Sequence, residues 1–170
     1  MFGQETVPNF PFNNTRDFGR DISDMPPHDP PAEPSVFLAP WEKCHYNNIF
    51  TPQFWAEVIR GLEAAKVRIT VNDNRRAYQT SNYTTIAFPS FRDLPGVMSR
   101  HTLTVCGNTG TGWVAAAGEY PLIAAEWPTQ TYPDYHFHKN GVRSLVATLN
   151  TPNSAEMVRL VLATLERIRT

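Results

Sequence analysis

A chain of 170 residues with 41% apolar side chains is long enough for one domain with its own core, and this composition excludes wholesale disorder. Two cysteines, Cys44 and Cys106, exclude a disulfide framework, although the two could pair. The net charge of −1 points to no partner until it is divided along the chain.

That division is uneven. Residues 1–42 carry seven acids (Glu5, Asp17, Asp21, Asp24, Asp29, Glu33, Glu42) against Arg16 and Arg20, a net −5, and the remainder is +4. The same stretch holds eight of the fifteen prolines. Each proline removes a backbone donor and restricts the residue before it, so the expectation is an extended, acidic, partly polyproline arm over 1–42. Phe2, Phe10, Phe12, Phe18, Phe37 and Trp41 punctuate it. Linkers rarely carry so many rings, so these are expected to anchor the arm in pockets on neighbouring subunits, with wrapping of its own domain as the alternative.

Residues 43–170 read as an α+β globular domain. Thr51 suits an N-cap and Pro52 the first helical position, and Phe54, Trp55, Val58, Ile59 and Leu62 then fall on one face. Val67, Ile69 and Val71 alternate with Arg68, Thr70 and Asn72, a half-buried strand ended by Asn72-Asp73-Asn74. Ser81–Phe88 and His101–Cys106 read as further strands, with a loop containing Pro95-Gly96 between them. Trp113–Ala117 reads as a strand of small residues, and Pro121–Trp127 as either a strand or one helical turn. Asn140-Gly141 between two β-prone runs predicts a hairpin, and Met157, Leu160, Val161, Leu165 and Ile168 predict a helix over about 153–168. Short connections favour a mainly antiparallel sheet of five or six strands covered by two amphipathic helices.

Candidate chemistry is sparse. His136 and His138 share one face of an expected strand, and Cys44, His45 and Cys106 could complete a metal site. The expected hairpin register puts His138 opposite Arg143, a cation that disfavours a metal, so no metal or cofactor is assigned. Gly107–Gly112 has the spacing Gly-x-x-Gly-x-Gly, lacks the Gly-Lys-Ser/Thr ending of a P-loop, and runs into an expected strand. It therefore reads as a hairpin loop without a helix N-terminus to receive an anion. No acid–base pair or nucleophile elbow stands out, and no catalytic residue is nominated. Arg68, Arg75, Arg76 and Tyr78 could form a basic, aromatic sheet face for single-stranded nucleic acid.

These observations favour a non-enzymatic structural or adaptor subunit of a large assembly: a virion capsid, connector or tail component that clamps protein neighbours, in a homo-oligomer or hetero-complex. The helix–strands–helix order over about 51–168 is similar in architecture to the small tail-terminator and head–tail connector proteins of tailed phages. The alternatives are a single-strand-binding subunit and an accessory subunit of a ribosome or respiratory complex. The expected location is a virion or an intracellular assembly, with no signal peptide and no apolar run of ~18 residues to span a membrane.

Overall fold

A computed structural model describes residues 25–40, 49–73, 84–86, 92–126, 137 and 141–169. The strands are β1 (Ser35–Ala39), β2 (Arg68–Asn72), β3 (Thr84–Ile86), β4 (Leu103–Gly107), β5 (Leu122–Ala125) and β6 (Leu145–Leu149). The helices are α1 (Pro52–Ala64), α2 (Leu94–Met98), α3 (Gly110–Ala117) and α4 (Ser154–Arg169). The strands form one sheet in the order β3-β2-β1-β4-β5-β6, and every pairing is parallel. The expected mainly antiparallel sheet with two helices is thus replaced by a doubly wound α/β sheet covered on both faces.

The physical reason lies in the strands themselves. A parallel sheet is buried on both faces, so its strands read as continuous apolar runs. Ser35-Val-Phe-Leu-Ala39, Leu103-Thr-Val-Cys-Gly107 and Leu122-Ile-Ala-Ala125 are buried at every position. Successive side chains still point to opposite faces. Val36 and Leu38 join Ile69, Val71, Leu103, Val105 and Ile123 under α1 and α4. Phe37 and Ala39 join Cys106, Leu122 and Ala124 under α2 and α3.

Strand β1 lies inside the stretch expected to be a projecting arm. It is a central strand, bonded to β2 on one side and β4 on the other. Phe37, expected to anchor on a neighbour, is fully buried in its own chain. The proline density around it hid a five-residue strand that contains no proline. The described residues just before β1 also dock on their own domain. The Tyr120 hydroxyl donates to the Pro26 carbonyl at 2.8 Å, His28 Nε2 to the His101 carbonyl at 2.8 Å, and the Asp29 N–H to the Ser99 carbonyl at 2.8 Å. Phe2, Phe10, Phe12, Phe18 and Trp41 lie outside the described residues.

Of the hairpin expected at Asn140-Gly141, Asn140 and all of the first arm except Phe137 lie outside the described residues. Gly141 has φ +64°, but the strand that follows, β6, pairs in parallel with β5. The expected terminal helix is present as α4, with Met157, Val161 and Leu165 buried against the sheet. It packs so closely on α1 that a Cβ at Gly61 would meet Val158 Cγ2 at 2.6 Å. Glycine there is a requirement of helix–helix contact and outweighs its poor helix propensity. Among the described residues, no helix is long and apolar enough to cross a membrane.

Candidate functional site

In a doubly wound sheet the strand order reverses between two neighbouring strands, and a crevice opens beyond their C-terminal ends. Here the reversal falls between β1 and β4, because the crossovers from β1 lead to β2 and β3, whereas those from β4 lead to β5 and β6. The C-terminal end of β4 is Gly107, and Asn108-Thr109 carries the chain directly into α3. The glycine-rich stretch Gly107–Gly112 is therefore the turn from strand to helix at the switch point, the opposite of the hairpin loop expected from sequence. Trp113–Ala117, expected as strand, is the body of that helix. A short run of Trp, Val and Ala is compatible with either state, and alanine has the highest helix propensity of any residue.

The start of α3 differs from the starts of α1 and α4. In α1 the Thr51 hydroxyl accepts from the Phe54 N–H at 3.3 Å, and in α4 the Asn153 carboxamide accepts from the Glu156 N–H at 3.0 Å. Thr109, the N-cap of α3, is extended (φ −134°, ψ 171°), but its hydroxyl caps nothing. The first intrahelical bond runs from the Trp113 N–H to the Thr109 carbonyl, which leaves the N–H groups of Gly110, Thr111 and Gly112 without an intrahelical acceptor. Thr109 Oγ1 is itself buried without a hydrogen-bond partner. Three backbone donors, the positive end of the helix dipole and an unpaired hydroxyl make a site for a multiply charged oxyanion.

The floor of this site is rigid. A Cβ on Gly112 would meet Phe137 Cζ at 2.5 Å and Cys106 Sγ at 2.9 Å, so the first turn of α3 lies hard against β4. The Phe137 ring packs on Trp113 with centroids 4.5 Å apart. It is pinned from below by Glu126, a fully buried residue at the end of β5 whose Oε1 accepts the Phe137 N–H at 2.6 Å. Across the switch point, Asn72 ends β2 with its side chain 6% exposed and its Oδ1 unpartnered. Sequence reasoning used Asn72 as a turn marker and missed it. The available signal was that the last residue of a buried strand is a polar amide, which needs a partner.

The other sequence-nominated residues do not converge here. Arg68 begins β2, at the opposite end of the sheet, and is exposed. Arg75, Arg76 and Tyr78 lie outside the described residues, as do Cys44, His45, His136 and His138. Cys106 is a buried free cysteine on β4. Among the described residues, no group of three His, Cys, Asp or Glu side chains could hold a metal. His101 sits below the sheet's centre, with Nδ1 at 2.8 Å from the Val97 carbonyl and Nε2 at 2.9 Å from Thr70 Oγ1. Burial lowers its pKa, the Val97 hydrogen bond opposes this, and the charges of Arg68 and Arg100 add to the lowering.

No family model matches the sequence, and no curated protein matches it. Solved structures do share its fold. The chain is similar to Escherichia coli heptosyltransferase WaaC with ADP at TM-score 0.56 and 15% identity, covering 86% of this chain and 47% of that one. It is also similar to the dodecameric iron-containing heptosyltransferase TibC in complex with ADP-D-β-D-heptose, at TM-score 0.55 and 16% identity, covering 86% of this chain and 49% of that one. The chain thus spans about half the length of the solved structures it matches.

These findings overturn the expectation of a non-enzymatic capsid, connector or tail subunit. Part of the arm on which that expectation rested is a central strand of the chain's own sheet, and the fold is one used by heptosyltransferases. Nothing in the fold or in its likenesses supports a virion location.

Proposed function

We propose that this chain is the nucleotide-binding domain of an enzyme that transfers a sugar from a nucleoside diphosphate donor, and that the N-terminus of α3 receives the diphosphate. The observation that carries the reading is the uncapped start of α3 at the switch point, where Gly110, Thr111 and Gly112 hold three unused N–H donors. Both likenesses above are to heptosyltransferases, one with ADP and one with ADP-D-β-D-heptose, which supports the same ligand class here.

The chemistry follows from charge. When a glycosyl bond to a nucleoside diphosphate breaks, negative charge grows on the leaving diphosphate. Backbone N–H groups fixed at a helix terminus stabilise that charge without reorganising as it develops. Gly110, the first residue of α3, carries no Cβ beside the incoming phosphates, whereas Gly112 is required by its packing against Phe137 and Cys106.

The test separates binding from folding. Thr111→Glu places a carboxylate in the first turn of α3. Against the helix dipole this stabilises the fold by roughly 0.3–1 kcal/mol, yet it repels an incoming diphosphate. We expect titration calorimetry with adenosine, uridine and guanosine diphosphates to show binding to the wild-type chain by at least one of them. That affinity should fall at least about tenfold in Thr111→Glu while the melting temperature holds or rises. An unchanged affinity in the variant, or no binding of any diphosphate by the wild-type chain, refutes the reading.

A further inference from the structure

The α3 terminus accounts for the phosphates and leaves one polar group of the switch-point crevice unexplained. Asn72 Oδ1 is buried and has no hydrogen-bond partner, a state that costs about 1–3 kcal/mol when nothing compensates it. Its position is fixed by the sheet. Val71 is the neighbour of Leu38, so Asn72 stands beside Ala39, and Ala39 in turn pairs with Cys106. Asn72, Ala39 and Cys106 are thus level across three adjacent strands at the C-terminal edge. Ile69 and Val71 belong to the core under α1 and α4, so alternation turns Asn72 to the other face, the one that carries α3.

Two features define what would satisfy it. The first is reach. Asn72 lies two strand spacings from β4, roughly 10 Å from the strand that leads into α3. That span exceeds a diphosphate alone and matches a diphosphate with one pyranose ring. Ala39, between them, is buried in the core beneath α2 and α3, so a ligand joining the two crosses above the strand ends and not over this side chain. The second is chemistry. A carboxylate at this position would oppose the phosphates, whereas a neutral carboxamide oxygen accepts a hydroxyl with no charge conflict. The hydroxyls of a nucleotide sugar lie on the ribose and on the transferred glycosyl group. The glycosyl group is the part that must be kept from water, which suits a residue that is 6% exposed.

We infer that Asn72 is a specificity-determining residue that accepts a hydroxyl of the donor's glycosyl group, across the switch point from the phosphates. This rests on the nucleotide-sugar reading above. The role is separable from that reading, because a nucleoside diphosphate alone would bind without touching Asn72.

The experiment compares, on the full chain, the nucleoside diphosphate that binds best among the three with its hexose conjugate. For the wild type, the conjugate is expected to bind about three- to tenfold more tightly, the worth of one net hydrogen bond. Asn72→Ala is expected to abolish that preference while leaving diphosphate affinity within about twofold, and this retained binding doubles as the control for folding. Asn72→Thr keeps an acceptor on a side chain suited to a strand and is expected to restore part of the preference. Equal weakening of diphosphate and conjugate by Asn72→Ala overturns the inference and leaves the phosphate site standing, as does a wild-type chain with no preference for the conjugate. A wild-type chain that binds neither ligand removes the parent reading and this inference together.

Discussion

Two helices of this domain end on a residue that pays for its backbone in strain. After α1, Lys66 has φ +59°, and after α3, Glu119 has φ +54°. Both close the same motif: the Lys66 N–H reaches Glu63 and the Val67 N–H reaches Leu62, and at α3 the Glu119 and Tyr120 N–H groups reach Ala116 and Ala115. This position favours glycine, which has no Cβ to crowd the left-handed conformation. Lys66→Gly and Glu119→Gly are each expected to stabilise the fold by about 0.5–1 kcal/mol, read as a higher denaturation midpoint at an unchanged slope. A loss of stability in both would show that the side chains contribute contacts that outweigh the strain.

His101 gives a pH dependence with a definite sign. Its folded pKa lies below the ordinary value, chiefly because burial disfavours the charged ring. The unfolded chain therefore takes up a proton near pH ~6.5 before the folded one does. The contribution of His101 to stability is complete above that pH and declines as pH falls towards the lowered folded value. Replacing it with glutamine is expected to flatten the fall in stability between neutral and mildly acid pH. An unaltered pH profile would mean that the ring is as solvated in the folded chain as in the unfolded one.

At the scale of elements, the contact of α1 with α4 shows packing deciding against propensity. On helix propensity alone, Gly61→Ala should stabilise α1 by about 1 kcal/mol. The 2.6 Å approach of Val158 Cγ2 to a Cβ there reverses the expectation. We expect Gly61→Ala to destabilise the domain by about 1–3 kcal/mol, and Gly61→Ala with Val158→Ala to recover part of the loss. Unfolding measurements on the two single variants and the pair settle it. Full additivity would mean that the two side chains do not meet.

The elements also show what the sequence signals were worth. Helices α1 and α4 were legible, because Thr51-Pro52 and a one-sided apolar stripe are local signals that do not depend on the rest of the chain. Helix α3 was not. Six of its eight residues, Gly112 to Ala117, are buried, so it carries no polar face to reveal a helical period. Misreading that one element as strand removed the helix terminus from the glycine-rich loop, and the candidate site vanished with it.

For the whole molecule, the amino-acid sequence alone determined what local chemistry can determine: an amphipathic helix opening at Thr51-Pro52, another over about 153–168, and a strand over about 67–72, found as α1, α4 and β2. Tertiary structure alone decided that the strands run parallel, that Ser35–Ala39 lies inside the sheet instead of in an arm, and that Gly107–Gly112 is the turn into a helix at the switch point. The reason is physical. A helix cap or an amphipathic stripe is written within a dozen neighbouring residues, whereas strand order is set by which buried faces can be covered at once. The reversal between β1 and β4 joins residues far apart in the chain, and no local pattern encodes it.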